Sequence, residues 1–158
     1  MKHVGVHSVY ELEYESTYDL LYWADVFATN LHNASRQDAA FLQKKFLFCQ
    51  EYVEMHKNFY AKNVRNLGNI RRHFAEHYVD LGDFETFDNL YDDWISKEPD
   101  WGWGWIGWSD VYWLFLGKNK PNLPKALQIL ESGVAIKEVH NKEELIDRYN
   151  ELKKKING

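Results

Sequence analysis

His73 and His77 stand four residues apart in a segment whose apolar residues recur at helical spacing. Both imidazoles therefore leave one helix face, and that spacing can share a metal ion. A structural zinc site needs four ligands. The nearest carboxylates are Glu76 and Asp80, and the single cysteine, Cys49, lies elsewhere in the sequence. A solvated helix face explains the pair without a metal. His3 and His7 repeat the spacing in a segment with no helical pattern. Asp88 and Asp92 share a face as paired catalytic acids do, yet acids along an exposed helix are the commoner case.

No nucleophile elbow, no phosphate-binding glycine loop with lysine and no Cys–His pairing occurs in the 158 residues. The sequence therefore argues for a non-catalytic protein without a cofactor or bound metal. A formal net charge of −5 argues against nucleic acid. The one basic run, Lys153-Lys154-Lys155, falls at the end of a helical pattern, where the helix dipole favours cations. Cys49 sits among apolar residues and reads as a buried, inert thiol. One cysteine fits a reducing cytoplasm. The N-terminus shows no signal peptide, and the longest apolar run, residues 111–116, is too short to cross a bilayer.

These side chains must be carried by helices. Aromatics are 16% of the chain, and only three prolines interrupt it, a composition that favours a folded, helical protein. Tyr10, Leu12 and Tyr14 alternate with glutamates, so residues 1–15 are expected to form an extended arm that could add across a symmetric partner. A helical domain is expected over residues 16–158. Its first helix starts at Ser16 or Thr17, with the stripe Leu20, Trp23, Phe27 and Leu31. Ser35 and Asp38 suggest a capping box for the second, whose stripes Leu42, Phe46, Cys49, Val53 and Phe41, Phe48, Tyr52, Met55 predict a helix sandwiched between others.

The third helix carries Leu67, Ile70, Phe74, Tyr78 and Leu81 and ends at Gly82. Phe87, Leu90, Tyr91 and Trp94 mark the fourth, stopped by Pro99. Asp100 is placed to cap a fifth, along which Trp101, Trp105, Trp108, Tyr112 and Phe115 form one aromatic face. A sixth opens near Pro124, and a seventh, capped by Asn141, carries Leu145, Tyr149, Leu152 and Ile156.

Residues 68–101 span 34 positions, the length of a tetratricopeptide repeat. Phe74-Ala75 stands at its large–small pair, Tyr78 at its aromatic, Gly82 at its turn, then Phe84, Tyr91 and Pro99. Arg71 replaces the usual Trp, and Phe87 and Trp94 replace small residues. A second unit from Gly102 places Trp105, Trp108-Ser109, Tyr112 and Ala126 at the same positions, with an insertion at residues 118–123.

The stretches Leu81-Gly82-Asp83-Phe84 and Glu98-Pro99-Asp100-Trp101-Gly102-Trp103-Gly104-Trp105-Ile106-Gly107-Trp108 resemble bacterial helical-repeat proteins of the SEC-C-motif type. So do Leu31-His32-Asn33-Ala34 and Phe48-Cys49-Gln50-Glu51-Tyr52; the likeness covers roughly residues 16–152. The Cys-rich SEC-C motif is absent, so no metal ligand carries over. The resemblance implies an all-α, right-handed superhelix of antiparallel helical hairpins, about seven helices with a C-terminal capping helix. It also implies a protein- or peptide-interaction role.

In that register the groove-facing residues are Asn69, Arg72, Glu76 and Asp80, then Trp103, Ile106, Asp110 and Trp113. Aromatic and arginine side chains are common interface anchors. The competing expectation is that the N-terminal helices fill the groove. The alternative function is small-molecule or metal binding through the Trp cluster or the His73/His77 pair.

Overall fold

The computed structural model describes residues 20–58, 60, 65–114 and 120–158, with the backbone alone described at Leu20, Leu21, Arg65 and Asn66. The expected arm, the helix start at Ser16 or Thr17, His3, His7 and Phe115 lie outside them. The described residues are all-helical, with seven helices and no strand: α1 (Leu20–Ala34), α2 (Ala40–Met55), α3 (Arg65–Asp80), α4 (Phe84–Lys97), α5 (Gly102–Asp110), α6 (Leu123–Val134) and α7 (Lys142–Asn157). Two compact units divide them. The first holds α1, α2 and α3 through Phe74, and the second holds α3 from Ala75 with α4 to α7.

In the first unit α1 buries Ala24, Ala28 and Leu31. This corrects the expected stripe: Leu31 belongs to it, but Trp23 is 53% and Phe27 36% exposed. Interaxial distance follows the side chains at the contact, and small residues such as Ala24 and Ala28 fit a buried helix face more readily than indoles do. The capping box at Ser35 is also corrected. Ser35 Oγ turns back to the His32 carbonyl (2.6 Å), and Asp38 Oδ1 alone receives the first amide of α2, from Ala40 (2.9 Å). α2 packs on α1, and its Phe46 stacks on Phe74 of α3 at 5.5 Å; Met55, at the end of its second expected stripe, is 64% exposed, so that side is not covered as a sandwiched helix requires. Cys49 is fully buried.

In the second unit α3 stops at Gly82, which adopts φ +78. The amides of Gly82 and Asp83 close back on the carbonyls of Val79 (3.0 Å) and Tyr78 (2.8 Å), a Schellman turn that a Cβ would strain. Asp83 then caps α4 by accepting from the Thr86 amide at 3.0 Å. Phe87, Tyr91, Trp94 and Ile95 form the buried face of α4. Leu81, expected in the stripe of α3, is exposed, because the chain is already turning there.

Asp100 does not cap α5; Trp101 holds that position without a side-chain bond. The Asp100 carbonyl instead accepts from the His140 amide at 2.8 Å. The loop before α7 passes so close to α5 that a Cβ on Gly102 would lie 2.0 Å from the His140 carbonyl oxygen. α5 is also shorter than expected and ends at Asp110. Asn122 caps α6 through the Lys125 amide, with Pro124 in its first turn. Asn141 opens α7 from the left-handed region (φ 56) and makes no side-chain cap. That corrects the expected cap, which needs an extended backbone to aim the carboxamide at the helix amides.

Candidate functional site

The Trp run divides by burial. Trp101 and Trp105 are buried, Trp108 is half-buried and Trp103 is 38% exposed. Trp101 stacks parallel to Tyr91 at 6.4 Å and meets Trp94 edge-on. Trp105 donates its indole N–H to the Pro99 carbonyl at 2.8 Å, and Trp108 donates to Asp88 Oδ1 at 2.8 Å. Each of these polar edges is satisfied, as burial requires. Gly104 makes the stacking possible: a Cβ there would sit 2.3 Å from the Trp101 ring.

Trp103 faces an open cavity of about 580 Å³ on the α5–α7 side, lined also by Ile106 and by Glu144, Asp147, Arg148, Asn150, Glu151 and Lys154 of α7. An indole and an isoleucine make its apolar floor. Arg148 is held by two carboxylates, with Nε 3.3 Å from Asp110 Oδ1 and Nη1 2.8 Å from Glu151 Oε2. Glu144 and Asp147 line it without an ion pair among the described residues.

The expected groove residues have separate fates. Ile106 lines this shelf with Trp103. Asp110 and Trp113 are buried. Asp110 pairs with Arg148, and Trp113 lies beneath Arg148 (5.9 Å) and Lys155 (5.5 Å) of α7. Within the second unit, the C-terminal helix α7 thus covers Asp110 and Trp113. The indole N–H of Trp113 has no hydrogen-bond partner among the described residues. Glu76 is half-buried and Asp80 exposed.

Asn69 and Arg72 serve a different site, in the first unit. Asn69 Nδ2 donates to Asp25 Oδ2 at 2.7 Å, and His73 Nε2 lies 3.2 Å from Asp25 Oδ1 and 3.4 Å from Thr29 Oγ1. Burial alone would raise the Asp25 carboxyl. The hydrogen bonds with His73 and Asn69, and the charges of His73 and Arg72, outweigh it and hold the carboxyl below the ordinary range. A hydroxyl, an imidazole and a carboxylate meet here, but both contacts use Nε2. These contacts tie α1 to α3. His73 is buried rather than on a solvated face, which corrects that expectation, and His77 is only half-buried.

Asp88 is the residue the sequence undervalued. It is not a solvated surface acid. Its Oδ1 accepts from Trp108 Nε1 and from Tyr112 OH (2.6 Å), and its Oδ2 pairs with Lys125, whose ammonium also lies 4.5 Å over the Tyr112 ring. One carboxylate thereby joins α4, α5, the turn after it and α6. Asp92, its expected partner, is exposed. Positions 108, 112 and 125 lie 20 to 37 residues from position 88, so no local pattern reveals the hub.

Among the described residues, no group of three His, Cys, Asp or Glu side chains is placed to share a metal ion, and no helix is long and apolar enough to cross a membrane. Comparison with family models, with curated proteins and with solved structures finds no match to the chain.

Proposed function

We propose that this protein is a non-catalytic protein-interaction module of the tetratricopeptide-like type, acting as a scaffold or adaptor. Its peptide seat is the shelf between α5 and α7. The observation that carries the reading is the exposed Trp103 over a cavity of about 580 Å³ whose lining includes Glu144 and Asp147, with Lys154 as its one cation outside the Arg148 pairs. A half-exposed indole beside open acidic side chains suits an apolar anchor residue next to a lysine or arginine. Consecutive packing of α4 on α5, α5 on α6 and α6 on α7 is consistent with stacked helical hairpins.

A random peptide array tests it. The full-length protein is expected to select peptides with an apolar residue beside a basic one, and Trp103→Ala to weaken the best of them by roughly 30-fold or more. Asp147→Lys should disfavour the basic neighbour. Equal profiles for wild type and Trp103→Ala would reject the shelf as the seat. Loss of binding only on removal of a metal by chelation would favour the metal-binding alternative.

A further inference from the structure

The first unit leaves a large aromatic face open. Trp23 and Phe27 of α1 stack one turn apart at 5.2 Å, and both meet Phe48 of α2 edge-on, at 6.2 and 4.9 Å. Tyr22 and Val26 extend this face along α1, and Leu47 and Met55 along α2; all four are exposed. Single exposed apolar residues are ordinary, but a contiguous aromatic patch on a protein surface marks an interface. Ala24, Ala28 and Leu31 are buried on the adjoining side, so the apolar arc of α1 is wide and only partly covered. The uncovered part of so wide an arc calls for a partner.

Charge selects that partner. Asp25 is the only carboxylate in α1, and it is turned away to Asn69 and His73. The open face of α1 is therefore uncharged. On α2, Lys44, Phe48, Glu51 and Met55 follow at spacings of four, three and four, so they share one edge. Lys44 and Glu51 stand two turns apart, about 10 Å, on either side of Leu47 and Phe48. Glu51 has no ion-pair partner among the described residues, and the one contact of Lys44 is with the Phe41 ring at 4.5 Å. A two-fold axis passing between Leu47 and Phe48 would set each Lys44 against the other copy's Glu51. That is the reciprocal pairing of an isologous contact.

We infer that the Trp23–Phe27–Phe48 face of α1 and α2 binds a second copy of this chain, forming a two-fold dimer sealed at its edges by Lys44–Glu51 pairs. This surface is independent of the shelf beside Trp103.

Sedimentation of the full-length protein over a concentration series, at low and high salt, tests it. Wild type should dimerise. Trp23→Glu should weaken the dimer roughly 100-fold or more, with an unchanged helical spectrum, since Trp23 is not in the core. Lys44→Glu and Glu51→Lys should each weaken it about tenfold at low salt and less at high salt. The double exchange Lys44→Glu/Glu51→Lys should restore wild-type affinity, which a merely structural defect would not do. A monomer at all concentrations would overturn the proposal. So would a dimer that ignores Trp23→Glu but disappears on deletion of residues 1–15, because the arm would then be the contact.

Discussion

Gly133 of α6 lies against the stem of Trp105: a Cβ at that position would approach the Trp105 Cγ to 2.6 Å and its Cβ to 2.9 Å. Two effects oppose each other on Gly133→Ala. Helix propensity favours alanine by about 1 kcal/mol, while overpacking a filled contact costs about 1–3 kcal/mol. The clash is with the ring's attachment point, not its far end, so the indole cannot swing clear without losing its bond to Pro99. Overpacking should win. Urea unfolding is expected to show a lower midpoint at unchanged slope, and Tm should fall by a few degrees. A stabilised variant would mean that α5 and α6 are not packed this closely.

Asp88→Ala should be among the most damaging single changes in the second unit. It strips the partner from the Tyr112 hydroxyl, the Trp108 indole and Lys125 at once. Orphaned buried donors cost about 1–3 kcal/mol each, and their sum is less than additive. A loss of about 3 kcal/mol is expected in chemical denaturation. Asp92→Ala, on the same helix but exposed, is the control and should stay within about 0.5 kcal/mol of wild type.

Burial, and then the hydrogen bond and charge of Asp88, raise the Tyr112 hydroxyl well above its ordinary value. In the unfolded chain this phenol loses its proton near pH 10. The folded state keeps the proton longer, so the contribution of Tyr112 is complete below that pH and is lost as pH rises beyond it. Tyr112→Phe should lower stability at neutral pH, through the lost bond to Asp88, yet decline less steeply above pH 10. Parallel wild-type and variant curves from pH 9 to 12 would contradict the assignment.

Asp25 behaves oppositely. Its carboxyl is held below the ordinary range in the fold. Its contribution is therefore present above about pH 4, where the unfolded group ionises, and fades as pH falls through the lower folded value. Asp25→Asn keeps a similar shape and is expected to flatten the acid limb of the stability curve. Equal steepness of the two acid limbs would show that the tie to His73 and Asn69 does not form in solution.

The sequence pattern located the helices because their repeats of apolar residues are local. It failed where the deciding contact is distant or where size misleads. Large aromatics rank as core residues, so Trp23 and Phe27 were expected inside; close helix packing instead placed Ala24 and Ala28 there. His73 reads as a surface histidine until Asp25, 48 residues earlier, is brought beside it. Trp103 was legible as the outward indole of its run, since its neighbours at 101 and 105 fall on the packing stripe. The other wall of the shelf was not, because it comes from α7, about 40 residues on.

The contrast between Trp103 and Trp105 separates architecture from binding within three residues. Trp105→Ala would empty the space above Gly133 and leave the Pro99 carbonyl without its donor. A buried Trp→Ala change costs about 3–5 kcal/mol. Trp103 is 38% exposed and borders an open cavity, so its loss should cost about 1 kcal/mol or less. Measured together by urea unfolding and by the peptide array, the two variants should part company. Trp105→Ala should unfold early, whereas Trp103→Ala should fold normally and fail to bind. If Trp103→Ala proved as destabilising as Trp105→Ala, its indole would belong to the core and the shelf would lose its anchor.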